Sequence, residues 1–266
     1  MKTARSARFS SQFRPTALLP RAYELLFAAY GPQRWWPADS PFEVCVGAIL
    51  TQNTSWTNVE RAIAALKRAG RLSVVGISTL TLTELVALIR PAGYFNVKAR
   101  RLKEFVRVLQ QDFGGRLDRL FAGSLDEARD RLLAINGIGP ETADSMLLYA
   151  GGHASFVVDA YTRRVFARHG WCHPEASYDE LKTLCETALK NRASDQLPAY
   201  WGDYHAQIVR VGKIHCRKAA PRCEGCPLEP LLPRATGGPV GRMPRPRDGL
   251  SNAAFRRRLT SPLPQP

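Results

Sequence analysis

Asn136-Gly137-Ile138-Gly139-Pro140-Glu141-Thr142 has the make-up of an anion-holding turn between two helices. Gly137 and Gly139 allow positive φ and close backbone approach. Ile138 between them can plug the space between the helices. Pro140 suits the first helical position, where its missing N–H costs nothing. The following helix then opens with free N–H groups and the positive end of its dipole. Gly137, Ile138, Gly139, Glu141 and Thr142 are therefore expected to hold a phosphate. Asp159 follows in Phe156-Val157-Val158-Asp159-Ala160-Tyr161. A carboxylate that opens a helix is an N-cap. It can also be a catalyst, because a helix N-terminus keeps it ionised. At the mouth of a cleft, such a group can stabilise developing positive charge.

The partner implied by charge is a polyanion. The chain carries a formal net charge of +15, and each phosphate neutralised releases counterions. Much of the excess lies at the ends. Residues 1–15 hold Lys2, Arg5, Arg8 and Arg14 without an acid, and residues 234–266 hold seven arginines against Asp248 alone. A solvated basic surface would leave the same trace. No uncharged apolar stretch reaches the ~18 residues of a membrane span. The arginine-rich start lacks the amphipathic helix of a transit peptide, and a reducing cytosolic or nucleoid-associated setting is expected.

Elements that could position these groups are helical nearly throughout. Apolar residues recur at helical spacing over Ala22–Tyr30, Phe42–Leu50, Thr57–Ala69, Leu82–Ile89 and Lys98–Phe113. Ser124 can cap a helix running to about Ile135, with Asp126 and Glu127 in its first turn. Further helices are expected over Glu141–Tyr149, Asp159–His169, Tyr178–Leu189 and Ala199–Ile214. Val157-Val158 is too short for a strand in a sheet. The fold class is all-α. Residues 1–15 form a basic flexible tail, and the Pro-, Gly- and Arg-rich residues 234–266 a disordered one.

The chain resembles the endonuclease III-like branch of the helix–hairpin–helix (HhH-GPD) DNA glycosylases. The likeness runs from about Trp35 to Pro227, with its blocks in order: Phe42-Glu43-Val44 through Thr51-Gln52-Asn53-Thr54, Gly93-Tyr94-Phe95-Asn96-Val97-Lys98-Ala99, the hairpin, Val158-Asp159, and the cysteines. It implies two α-helical domains with a DNA-binding cleft between them. One would comprise residues 16–36 and 153–233 with a cysteine loop. The other would be a six-helix barrel over 37–152 that carries the hairpin. It also implies a monomer that binds double-stranded DNA with a damaged base, flips that base out, and uses Asp159 as its catalytic carboxylate.

Two features refine the activity implied. Bifunctional relatives carry a lysine at the second residue after the Gly-x-Gly, and here that residue is Glu141. A carboxylate cannot form the Schiff base that an amine forms. A monofunctional glycosylase with weak or no lyase activity is therefore expected, and Lys98 lies outside the nucleophile's slot. Trp35-Trp36-Pro37 and Trp56 resemble the blocks of the 3-methyladenine glycosylases within this branch. N-alkylated purines are cationic, and aromatic faces hold them by stacking and cation–π attraction. Trp35, Trp36, Pro37 and Trp56 are thus expected to form a base pocket, with Gln52 entering the gap left by the flipped base. The rival readings are an endonuclease III-like glycosylase and lyase for oxidised pyrimidines, and a non-catalytic lesion-binding protein.

Of the six cysteines, Cys45, Cys172 and Cys185 are scattered and read as packing residues. Cys216, Cys223 and Cys226 reproduce three quarters of the family's iron–sulfur spacing, with Leu232 at the fourth place. The alternatives are a [4Fe–4S] cluster with a non-cysteine ligand, an incomplete three-iron cluster, zinc with an outside ligand such as His215, or a lost site kept by packing.

Overall fold

The structure, a computed structural model, describes residues 15–233; both basic tails lie outside the described residues, except that Pro15 opens the first helix. Twelve α-helices fill the described residues, joined by short loops. They are α1 (Pro15–Tyr30), α2 (Pro41–Leu50), α3 (Trp56–Arg68), α4 (Val74–Thr79), α5 (Leu82–Ile89), α6 (Phe95–Phe113), α7 (Leu117–Leu120), α8 (Leu125–Leu133), α9 (Pro140–Tyr149), α10 (Ala160–His169), α11 (Tyr178–Ala188) and α12 (Leu197–Ile214). There is no strand among them.

Local chemistry sets the boundaries. Ser40 caps α2 by accepting from the Glu43 N–H at 3.2 Å. Thr81 with Glu84, Ser124 with Glu127, and Ser177 with Glu180 each form a reciprocal capping box at α5, α8 and α11. Gly114 ends α6 in the left-handed region, φ +63. α1 begins seven residues before the apolar period suggests. Pro20 sits in its second turn, which hides the earlier turns from a periodicity reading. α4 and α7 have six and four residues, too few to show a period.

The buried apolar side chains fall into two clusters. One gathers residues from Cys45 to Leu147, contributed by α2 through α9. The other gathers Leu19, Ala22 and Leu26 of α1 with residues from Leu148 to Leu228. The chain passes from one to the other inside α9, between Leu147 and Leu148. Also on α9, the fully buried Asp144 accepts from Arg129 Nε at 3.0 Å, Ser155 Oγ at 2.7 Å and the Tyr178 hydroxyl at 2.8 Å. With a fourth bond from Arg129 Nη2 at 3.3 Å, this carboxylate ties α8, α9 and α11 together, and its four buried lone pairs are satisfied as a buried charge requires.

Candidate active site

A cleft of about 1030 Å³ contains Asp159, the hairpin, Gln52, Trp35, Trp36 and Trp56. Asp159 caps α10 from an extended backbone, φ −104 and ψ −176. Its Oδ1 accepts from the Thr162 N–H at 2.7 Å and the Thr162 hydroxyl at 3.0 Å. Its Oδ2 faces His205 Nε2 at 3.6 Å. Burial by itself pushes the carboxyl up, but His205 and Thr162 outweigh it and hold Asp159 below the usual carboxylate range. Glu141 behaves in the opposite way. It stays accessible, yet desolvation by the cleft walls, followed by the Asp159 charge, pushes its carboxyl up. Two neighbouring carboxyl groups are thus driven apart, the pattern that separates acid and base roles.

The hairpin is built as expected at one glycine and differently at the other. Gly137 has φ +93, and a Cβ there would lie 2.8 Å from Arg101 Cδ. Gly139 instead caps α9 with φ −99 and ψ 178, an extended backbone open to any residue. The positive φ expected at both glycines occurs at Gly137 only. A Cβ at Gly139 would meet nothing within 4 Å. Among the described residues no side chain caps α9, and the Glu141 and Thr142 amides in its first turn are free of intrahelical partners. Ile138 does not offer its amide: that N–H donates to the Ile135 carbonyl at 3.0 Å, and its side chain is buried in the first cluster. Ile138 is a plug, as its position between the helices suggested, and not an anion donor.

Gln52 is tied to this hairpin. Its Nε2 donates to the Gly137 carbonyl at 3.1 Å and to the Thr142 hydroxyl at 3.0 Å, and its Oε1 accepts from Arg101. Trp35, Trp36 and Trp56 form one aromatic group, with ring centroids 4.9–5.4 Å apart. Trp36 seats on Gly47, where a Cβ would come within 3.2 Å of its ring. The Trp35 indole N–H is buried without a partner among the described residues. Pro37 does not line this cleft. It lines a second pocket of about 210 Å³ whose walls also include Trp36 and Trp56, with Glu43 and Lys67. Lys98 does not line the cleft either. It is buried, donates to the Ala92 carbonyl at 2.7 Å, and is pushed down to about 8 by desolvation and then Arg101.

Sequence reasoning missed His205, Tyr149, Tyr178 and Lys213, all of which border the Asp159 region. Their one legible signal is on α12. His205, Val209 and Lys213 recur every fourth residue, which puts them on one helix face.

The cysteine loop does not fit a metal. Among the described residues no group of three or more His, Cys, Asp or Glu could hold an ion. Cys216 is buried, Cys226 half-buried and Cys223 exposed. Cys216 Sγ accepts from Arg168 at 3.3 Å, and the His215 ring is bonded to the Arg222 carbonyl at 3.1 Å. Leu232 supplies no fourth ligand. The backbone is held by α10 instead. Arg164 donates to the Cys216 carbonyl at 2.7 Å, and Arg168 donates to the Arg217 and Lys218 carbonyls at 2.6 and 2.9 Å. Among the described residues Cys216, Cys223 and Cys226 thus stand in a loop clamped by arginines.

A helical cleft with an ionised aspartate beyond an uncapped glycine hairpin defines a class, the DNA repair glycosylases. The chain belongs to the HhH-GPD superfamily of base excision DNA repair proteins, whose family model matches residues 46–191. It is 47% identical over 214 residues to a protein of Methanocaldococcus jannaschii named as a candidate DNA repair glycosylase (MJ1434), covering 80% of this chain and 94% of that one. It is 29% identical to endonuclease III of Thermotoga maritima, covering 71% and 81%. Its fold matches the H. pylori 3-methyladenine DNA glycosylase MagIII bound to 1,N6-ethenoadenine, with a TM-score of 0.65 and 28% identity over 76% of this chain and 98% of that one. A trapped endonuclease III–DNA covalent intermediate shares the fold, with a TM-score of 0.69 over 82% and 96% at 22% identity.

Proposed function

We propose that the chain is a monofunctional DNA glycosylase. It hydrolyses the N-glycosidic bond of a damaged base flipped from double-stranded DNA, an alkylated purine such as 3-methyladenine. The observation that carries this reading is the pair of carboxyl groups in one cleft. Asp159 is held ionised, while Glu141 occupies the place where an amine would be needed for covalent attack.

The chemistry follows from the residues. The C1′–N bond breaks, and its electron pair neutralises the cationic base. Asp159 stabilises the developing positive charge on the sugar. A water oxygen bonds to C1′ and gives its proton to the Asp159 carboxylate. The products are a free base and an abasic sugar. Trp35, Trp36 and Trp56 supply aromatic surface for a cationic base. The free amides of Glu141 and Thr142 and the open face at Gly139 suit a DNA phosphate. Filling the gap with Gln52 requires its bonds to Gly137, Thr142 and Arg101 to open. In this reading the two apolar clusters belong to two domains, residues 16–36 with 153–233 and residues 37–152. The protein acts as a monomer in a reducing cytosolic or nucleoid-associated setting; no helix among the described residues is long and apolar enough to cross a membrane. The likeness to a 3-methyladenine glycosylase supports the base assignment.

One observation favours a second reading, an endonuclease III-like lyase for oxidised pyrimidines: the Lys213 amine also lines the cleft. A base-release panel separates the two. Release of 3-methyladenine and not thymine glycol is expected, and the reverse result overturns the proposal.

A further inference from the structure

His205 is nine-tenths buried on α12 and stands between two groups it did not have to meet. Its Nδ1 lies 2.7 Å from the Tyr149 hydroxyl of α9. Its Nε2 lies 3.6 Å from Asp159 Oδ2 and is without any hydrogen-bond partner among the described residues. The two carboxylate oxygens are therefore unequal. Oδ1 is fixed by both donors of Thr162, and among the described residues Oδ2 faces His205.

The proton count restricts this arrangement. Tyr149 has one hydroxyl proton and two acceptors in reach, His205 Nδ1 and the Gly202 carbonyl at 3.1 Å. If the proton points to Nδ1, the neutral imidazole carries its own proton on Nε2. If it points to Gly202, Nδ1 must carry a proton to reach the Tyr149 oxygen. An unprotonated Nε2 would then set its lone pair against a carboxylate, so both nitrogens are protonated. Either way Nε2–H faces Oδ2.

We propose that His205, oriented by Tyr149, is a positioning residue whose Nε2–H faces Asp159 Oδ2 at 3.6 Å, closes to a hydrogen bond when substrate is bound, and so holds the carboxylate in place for cleavage of the glycosidic bond. The inference rests on Asp159 being the catalytic carboxylate. His205 meets Asp159 at the start of α10 and Tyr149 and Glu141 on α9; Lys213 follows two turns along the same face of α12, Arg163 of α10 acts on Glu141, and Asp203 of α12 accepts from Tyr23 of α1. Tyr149 also packs on Trp36, ring centroids 5.4 Å apart. One line of contacts thus runs from the aromatic group to the catalytic carboxylate.

The test uses the full chain with His205→Ala, His205→Gln and Tyr149→Phe. Single-turnover release of the base is followed against pH, and DNA affinity and thermal midpoint are measured alongside. His205→Ala is expected to slow release roughly 10- to 100-fold, the effect of misplacing a catalytic group, with DNA affinity unchanged. Its acid limb moves to higher pH, because losing the donor raises the Asp159 pKa. His205→Gln recovers part of the rate, since its amide can still donate to Oδ2. Tyr149→Phe, which removes no donor to Asp159 directly, gives an intermediate loss. A ¹³C-carboxyl titration of Asp159 in wild type and His205→Ala reads the contact without any substrate, so it separates failure of this inference from failure of the glycosylase reading. An unmoved Asp159 titration with a wild-type rate and pH limb in His205→Ala overturns the proposal. So does a His205→Gln protein that folds and is as slow as His205→Ala.

Discussion

Alanine at the two hairpin glycines should separate folding from phosphate binding, because the structure gives the two positions opposite demands. Gly137 has φ +93 and lies against the Arg101 stem. A Cβ there brings backbone strain of about 1–3 kcal/mol and displaces the arginine that holds Gln52. At about 2 kcal/mol, and roughly 2–4 °C per kcal/mol for a chain of this size, Gly137→Ala should melt about 4–8 °C lower. Gly139 has an ordinary extended backbone with open space beside it. Alanine caps a helix less well than glycine by roughly 0.5 kcal/mol, and the stiffer unfolded chain offsets about as much. Gly139→Ala should therefore melt like the wild type. Its methyl group, however, occupies the face where a phosphate must approach the α9 amides. Losing one hydrogen bond to a charged group, about 1.5–3 kcal/mol, should weaken binding of undamaged duplex roughly 10- to 100-fold. Fluorescence anisotropy with a labelled duplex at fixed salt measures this, and the loss should not depend on sequence. A Gly139→Ala protein that binds duplex as tightly as wild type would refute the assignment of this helix end to phosphate.

Two further outcomes follow from the same residues. Borohydride trapping on duplex containing an abasic site should give little covalent adduct with wild type. Glu141→Lys, which places an amine beside Asp159, should raise it; an efficient wild-type adduct that disappears in Lys213→Ala would instead show that Lys213 attacks. Purified protein should show no broad visible absorption and substoichiometric iron, because Cys216 is engaged by Arg168 and Leu232 supplies no ligand. A brown protein with stoichiometric iron would contradict the arginine-clamped loop.

Much of the fold was legible because helical spacing and caps are local signals. α5 was read at both ends, and the Ser124 capping box with its first-turn acids marked α8. Asp159 was legible for a related reason: a capping carboxylate leaves a sequence signature at the start of a helix. His205 was not, because its role depends on α9, α10 and α12 packing together, which no local pattern encodes. Pro37 shares a pocket with Trp36 and Trp56 but not the cleft of Asp159, a division that adjacency in sequence does not encode. The cysteine spacing is likewise silent on what holds the loop. It shows where ligands could stand, whereas Arg164 and Arg168, fifty residues earlier, already hold that backbone.

The central claim is that Asp159 breaks the glycosidic bond as a carboxylate, with no amine nucleophile. Asp159→Asn tests it most directly, because asparagine caps a helix about as well as aspartate and keeps an acceptor for Thr162. Single-turnover release of 3-methyladenine from duplex DNA should fall by at least ~100-fold, the scale for losing a group that stabilises transition-state charge. Thermal midpoint and duplex affinity should stay at the wild-type level. Release by Asp159→Asn at the wild-type rate would contradict the account.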